Sequence, residues 1–133
     1  MSARPKQKGA KRAVAKAPER IVSAIVARAL VARDPIAILH EARDDEALPI
    51  AVRRALSAAD DDGIRITALL VAKLRFERLL QGSVKAGAAF DADPRGFTAL
   101  FRRYHEEVPP TALFPPQEAA LFAAWSRGQG IFD

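Results

Sequence analysis

Aspartate and proline divide this chain into stretches that all have helical periodicity, and this punctuation constrains the fold more than any other feature. Asp34–Pro35 and Asp93–Pro94 each place a capping acid before a proline suited to the first helical turn. We find no sustained alternating run rich in β-branched residues, so no strand is predicted. The chain is therefore predicted to be all-α, with helices over residues 18–33, 35–43, 49–59, 64–81, 94–108 and 115–128.

The longest predicted helix, 64–81, is apolar on nearly every side. Its one continuous polar stripe holds Thr67, Arg75 and Arg78, with Val71 among them. A helix that is apolar all round is normally surrounded by other helices. The sequence therefore predicts a compact bundle of about six helices around this central helix, with Arg75 and Arg78 in solvent.

The clearest amphipathic stripe in the chain lies on the predicted helix 94–108. Its apolar side chains stand three or four residues apart, which places Tyr104 in the core and His105 on the opposite, solvated face. The stripe consists of Phe97, Leu100, Phe101, Tyr104 and Val108.

The small residues between Gly82 and Gly87 are expected to form a looser connection between two helices.

Basic charge is concentrated at the start of the chain. Residues 1–20 hold seven Lys or Arg and one acid, whereas the remaining 113 residues hold 14 basic and 15 acidic ones. A like-charged segment with few large apolar side chains cannot offset its own ordering entropy. We predict a disordered basic arm over residues 1–17 and a single all-helical domain over residues 18–133. Contacts with nucleic acid or another polyanion are expected from Arg4, Lys6, Lys8, Lys11, Arg12, Lys16 and Arg20.

The residues that carry catalysis or bind metals are sparse. The chain has no cysteine, and its two histidines, His40 and His105, have no partner at metal-ligand spacing. The acidic turn Asp60–Gly63 resembles part of a calcium loop but lacks the first and twelfth ligands. No catalytic, cofactor or metal site is predicted, and we expect a protein that is not an enzyme.

Two apolar pairs are candidates for docking a partner. Four prolines bracket the segment 109–116, where Leu113 and Phe114 are expected to fill the core as the chain reverses direction. If they are exposed instead, they form a docking pair whose order reduces the entropy cost of binding. Ile131 and Phe132, close to the C-terminus, present the same two alternatives.

These observations favour a non-enzymatic helical interaction module that binds a protein partner. The alternative is a nucleic-acid-associated protein whose arm supplies sequence-independent phosphate contacts. A helix–turn–helix outline over 49–81 is disfavoured, because the second helix is too apolar for a DNA groove. No stretch approaches the ~20 apolar residues of a membrane span. The expected location is cytoplasmic, although the basic start also has the composition of an organelle transit peptide. Partner identity and oligomeric state stay open at the level of sequence.

Overall fold

Capping side chains fix where three of the helices begin. The side chains of Asp34, Ser83 and Asp93 each accept a hydrogen bond from the backbone N–H three residues further on. Each bond satisfies an amide that the first helical turn leaves without an internal partner. The two Asp-Pro signals read from the sequence therefore act as predicted.

The computed structural model describes the backbone of residues 3–131 and the side chains of residues 17–131. This part of the chain contains helices and no strand, so the predicted all-α class is confirmed. Its seven helices are α1 (Ala3–Val31), α2 (Pro35–Arg43), α3 (Ile50–Ala58), α4 (Asp61–Gly82), α5 (Val84–Ala92), α6 (Pro94–Glu107) and α7 (Pro115–Gly128).

One helix was not expected. The residues after Gly82, predicted as a loose connection, form the nine-residue helix α5. The Ser83 hydroxyl caps it, Ala86 is buried on its inner side and Phe90 packs against the aromatic core. Glycine and small residues suggested a loop because they lower helix propensity, but the cap and the packing of α5 outweigh that cost.

The chain divides into two compact units, residues 1–66 and 67–133. The first unit has an aliphatic core to which α1, α2 and α3 contribute. Its side chains are small and branched, and partly buried residues of α1 and Ile64 pack against them. The buried members are Ala29, Ile36, Leu39, Ala42, Val52 and Leu56.

Arg43 ties the end of α2 to the turn between α3 and α4. Its Nε donates to the Leu56 carbonyl oxygen at 2.8 Å, and its Nη2 donates to the Ala59 carbonyl oxygen at 3.3 Å. The same Nη2 pairs with Asp61 Oδ1 at 2.8 Å. Arg43 therefore brings a charged donor to two carbonyls at the C-terminal end of α3, where the helix itself supplies few donors.

The second unit has an aromatic core built from α4, α5, α6 and α7. Phe76 and Phe101 meet edge to face with ring centroids 5.0 Å apart, as do Tyr104 and Phe122 at 5.0 Å. Such edge-to-face pairs add to the energy of burial. The buried members are Leu79, Ala86, Phe97, Phe101, Tyr104 and Phe122, so the predicted inner stripe of the 94–108 helix is confirmed.

The burial pattern of α4 differs from the one its composition suggested. Its buried residues are Arg75 and Leu79, and Arg75, predicted to be in solvent, has no exposed surface. Four large apolar side chains that were expected to be covered are more than half exposed instead: Ile66, Leu69, Leu70 and Leu74. The prediction failed because it ranked residues by polarity alone, whereas buried carboxylate and carbonyl partners offset the burial of an arginine.

The predicted arm falls mostly outside the described side chains. The backbone of α1 begins at Ala3, whereas the sequence placed its start at Pro18. Nothing is described of the side chains of residues 1–16, so the arm over 1–17 stays a prediction, as does the single domain over 18–133. Of the seven basic residues assigned to polyanion contact, Arg20 lies in the described part, where it is exposed.

Candidate functional site

A buried ion pair lies at the centre of the second unit. Arg75 on α4 and Glu118 on α7 both have 0% of their surface exposed, and Arg75 Nε donates to Glu118 Oε2 at 3.1 Å. Arg78, half-buried on α4, has its Nε 3.8 Å from Glu118 Oε1. Charges removed from water in this way need close partners to offset their desolvation.

Arg75 also holds the chain as it leaves α6. Its Nη1 donates to the Val108 carbonyl oxygen at 2.6 Å and its Nη2 donates to the Pro109 carbonyl oxygen at 3.4 Å. A planar guanidinium has donors in fixed directions, so one side chain can hold several acceptors at once. Arg75 therefore sets where the proline-bracketed segment begins.

Tyr104 completes the pair on the α6 side. Its hydroxyl donates a hydrogen bond to Glu118 Oε2, and its ring lies under the Arg75 guanidinium, with Arg75 Cζ 4.3 Å from the ring centroid. Burial, and then the hydrogen bond to the Glu118 carboxylate, raise the pKa of Tyr104 well above its ordinary value of 10.0. The phenol is therefore a permanent donor at neutral pH, and a cation–π contact adds to its packing.

His105 is buried in the structure, so its prediction as a surface residue is wrong. It is 6% exposed, and its ring stacks on the Phe101 ring with the two centroids 5.6 Å apart. Its Nδ1 lies 3.3 Å from Arg75 Nη1. Arginine can only donate, so Nδ1 accepts and the ring proton resides on Nε2. Burial first, and then the charge of Arg75, lower the pKa of His105 from 6.5 to about 4. His105 is therefore neutral at physiological pH.

The polar side chains of this cluster join three helices of the second unit. Both carboxylate oxygens of Glu118 lie against arginine side chains, and Tyr104 keeps its proton. Among the described residues, no three His, Asp or Glu side chains come together as a ligand set for a metal ion. The cluster fixes the relative positions of α4, α6 and α7 and anchors the segment that follows α6.

That segment presents two large apolar side chains to solvent. Leu113 is 77% exposed and Phe114 is 63% exposed, whereas Ala112 beside them is buried. The expectation that Leu113 and Phe114 fill the core is therefore wrong, and Ala112 occupies the inner position.

Gln117 holds the backbone of the exposed pair. Its Oε1 accepts hydrogen bonds from the Leu113 N–H at 3.1 Å and from the Phe114 N–H at 3.3 Å. Pro115, the first residue of α7, follows with its ring-restricted φ. The backbone of the pair is therefore anchored to Gln117, and Phe114 itself is extended.

The close approach of Pro115 to the end of α4 requires a glycine. A Cβ atom on Gly82 would lie 2.1 Å from the Pro115 carbonyl oxygen, a distance at which the backbone has to shift. The segment is thus seated at both ends, by Arg75 at Val108 and Pro109 and by Gly82 at Pro115. We name residues 108–117 the docking segment and Leu113 with Phe114 the docking pair.

The second predicted pair is only partly visible. Ile131 is half-buried, and its N–H donates to the Ser126 carbonyl oxygen at 2.8 Å, which folds the chain back onto the end of α7. Phe132 lies outside the described residues. Of the four docking candidates, Leu113 and Phe114 are therefore the two that the described residues show to be largely exposed.

No protein-family model, curated protein or solved structure matches this chain. Across residues 3–131, none of the helices has both the length and the apolar composition that crossing a bilayer requires.

Proposed function

We propose that this chain is a non-enzymatic interaction module that binds a partner protein through the docking pair. The observation that carries the proposal is the exposure of Leu113 and Phe114 on a backbone fixed by Gln117 and Pro115. Binding usually costs the entropy of ordering side chains and loops. A segment that is already ordered has less of that cost to offset.

The hydrogen bonds of the docking segment indicate what kind of partner it fits. The amides of Leu113 and Phe114 already donate to Gln117, and the Thr111 N–H donates to the Pro109 carbonyl oxygen at 2.9 Å. Prolines have no amide to offer. A partner strand would therefore find few donors here, so addition to a sheet edge is disfavoured. The partner expected is a protein with an apolar pocket that accepts two side chains.

An affinity purification with matched variants tests this proposal. The bait is the full chain, compared with the double variant Leu113→Asp/Phe114→Asp and with the control Val84→Asp. Val84 is 91% exposed on α5, so the control adds a charge to an equally accessible apolar position. We expect one partner that the double variant loses and the control retains. Calorimetry with that purified partner should then show at least about tenfold weaker binding by the double variant.

Equal recovery of every captured protein by all three baits would contradict the proposal. Circular dichroism of the variants checks that the helices persist. The substituted residues are exposed, so the double variant should fold like the wild-type chain.

The charge of the first twenty residues supports a second candidate, in which the arm contacts nucleic acid. Seven cations can release at most about seven counterions when they bind DNA. In a plot of the logarithm of the association constant for duplex DNA against the logarithm of salt concentration, the slope should therefore be no steeper than about −6. Scrambling the DNA sequence should leave affinity unchanged, because phosphate contacts carry no base information. Fluorescence anisotropy of the full chain and of a chain starting at Pro18 measures both. Absence of binding at low salt would eliminate this candidate without touching the first.

A further inference from the structure

The docking segment begins where α6 ends, and one guanidinium group holds both sides of that junction. Arg75 Nη1 donates to the carbonyl oxygen of Val108, the first residue of the docking segment, at 2.6 Å. The same Nη1 lies 3.3 Å from Nδ1 of His105, which belongs to the last turn of α6. Because one nitrogen makes both contacts, the protonation of the imidazole bears on how firmly the segment is held.

Neutral His105 suits this arrangement, whereas protonated His105 does not. The neutral ring presents Nδ1 to Arg75 as an acceptor, but the imidazolium carries a proton on both nitrogens and cannot accept. Protonation also places a second positive charge beside a guanidinium that is always charged. The contact between His105 and Arg75 therefore changes from attractive to repulsive when the imidazole takes up a proton.

The charged groups that act on His105 come from three helices. Burial has the largest effect, Arg75 on α4 and Arg102 on α6 also oppose the imidazolium, and Glu118 on α7 favours it. The Glu118 carboxylate is already engaged by Arg75 Nε at 3.1 Å and by the Tyr104 hydroxyl. These surroundings together lower the pKa of His105 to about 4, so the folded unit holds the imidazole neutral.

The last turn of α6 is the part of the helix that can open in response. The Val108 N–H donates to the Tyr104 carbonyl oxygen at 2.9 Å and closes this turn. The Tyr104 side chain stays tied to Glu118, so opening can be confined to residues 105–108. Terminal turns open at a lower free energy than the core of a domain. Opening brings the His105 imidazole into water and takes Val108 away from Arg75 in the same movement.

We propose that acid releases the docking segment, because protonation of His105 opens the last turn of α6 and withdraws Val108 from Arg75. The segment is then held at its α7 end alone, by Gln117 and by the contact between Pro115 and Gly82. As regulation of partner binding, this release rests on the proposed function, since the docking pair belongs to the released segment.

Proton linkage gives the direction and the size of the effect. His105 in the open turn has its ordinary pKa of 6.5 and in the closed turn a pKa of about 4, so the open turn binds more protons between these values. The closed turn therefore has its full advantage above pH 6.5 and loses it as pH falls toward 4. Between pH 7.5 and pH 5, the equilibrium constant for opening should rise by about tenfold to thirtyfold.

Amide hydrogen exchange of the full chain, resolved by NMR, tests this release without any partner. Each rate is divided by the intrinsic exchange rate at the same pH, which gives the equilibrium constant for opening. We expect the amides of Val108, Leu113 and Phe114 to lose about tenfold or more of their protection between pH 7.5 and pH 5. The Phe97 amide, which donates to the Asp93 carbonyl oxygen at the start of α6, should keep its protection.

His105→Gln is the matched control, because glutamine retains an acceptor for Arg75 and does not titrate. In this variant, the protection of the three amides should be the same at both pH values. His40, the other histidine, lies in the first unit, so His40→Gln should leave the response of the wild-type chain in place. Titration of the His105 ring signals in the wild-type chain is an independent check, since opening has to follow protonation of that ring.

Three results would overturn the acid release. They are unchanged protection of the three amides at pH 5, a response that His105→Gln retains, and a loss of protection that the Phe97 amide shares, which would mean that the unit opens as a whole. Failure to find a partner would remove the proposed function and leave the exchange measurement unaffected, so the two failures are distinguishable.

Discussion

The two units form their cores from different kinds of side chain. The core of the first is aliphatic, and its arginine, Arg43, is half-buried and bonds to carbonyls at the end of a helix. The core of the second is aromatic and encloses Arg75 and Glu118 completely. An aliphatic core tolerates substitutions of similar volume, whereas a buried charge needs one particular partner. The second unit is therefore the more precisely specified and the more easily broken.

The largest effect is expected from Glu118→Ala. This change leaves Arg75 buried without its carboxylate and removes the acceptor of the Tyr104 hydroxyl, so it should cost about 3–5 kcal/mol of unfolding free energy. Arg43→Ala in the first unit should cost only about 1 kcal/mol, because the Leu56 carbonyl oxygen keeps the Ala59 N–H as a donor and the Asp61 carboxylate can be solvated. Urea unfolding followed by far-ultraviolet circular dichroism compares the two variants. A greater loss from Arg43→Ala would reverse the proposed contrast.

A pair of glycine substitutions should give the next largest difference. Gly82→Ala puts a methyl group against the Pro115 carbonyl oxygen, and the forced backbone shift should cost about 1–3 kcal/mol. In the first unit, a Cβ on Gly63 would lie 3.3 Å from Asp60 Oδ2, which is the movable end of a side chain. Gly63→Ala should therefore be close to neutral, since alanine also favours the helix. Thermal unfolding of both variants measures this difference, and equal midpoints would contradict the close packing of Pro115.

Acid should weaken the second unit first. His105 has its pKa lowered from 6.5 to about 4, so between these values the unfolded chain binds more protons than the folded one. The stability that depends on neutral His105 is complete above pH 6.5, and about 1–2 kcal/mol of it should be lost as pH falls to 4. Trp125, the single tryptophan, lies in the second unit, and its fluorescence can follow unfolding there. His105→Leu should remove the dependence on pH in this window.

The corresponding group in the first unit acts at lower pH. The hydrogen bond from Arg43 lowers the pKa of Asp61 from its ordinary 3.8. Its stabilising contribution is therefore present above pH 3.8 and is lost as pH falls further. Loss of helical signal before the tryptophan signal during acid titration would contradict this order.

The smallest effect is expected from deleting residues 1–17. The deletion removes none of the core residues that the described side chains show, so the thermal midpoint should change by less than about 5 °C. Differential scanning calorimetry of the shortened and full chains provides the measurement. A larger fall would show that the basic segment packs against the first unit.

Local signals predicted the helices well because they act within a few residues. Helix caps depend only on neighbours along the chain, as at Asp34 and Asp93. The same holds for the apolar stripe that includes Phe97 and Phe101. Arg75, Glu118 and His105 could not be placed in the same way, since the partners of Arg75 lie 30 to 43 residues away along the chain. The sequence did contain one indication: an arginine within a largely apolar helix, such as Arg75, needs a carboxylate partner if it is buried. The sequence does not say which of the carboxylates it is.

The docking pair, Leu113 and Phe114, is a second place where the sequence alone gave the wrong burial. Large apolar residues between prolines were expected to be inside because hydrophobicity alone assigned them there. Their position follows instead from contacts made elsewhere in the unit. Ala112 is the buried residue of this stretch, Gly82 lets Pro115 approach α4, and Gln117 accepts from the two amides of the pair. Exposure of Leu113 and Phe114 is thus a property of the packing around them.

The buried phenol of Tyr104 makes the chain its own optical indicator of folding in alkali. It is the single tyrosine, and its raised pKa keeps it un-ionised at a pH where an exposed phenol has lost its proton. The near-ultraviolet absorbance of phenolate should therefore appear only when the Glu118 contact opens. A rapid jump to alkaline pH would convert that absorbance into a clock for the opening of the second unit, with no added dye or label.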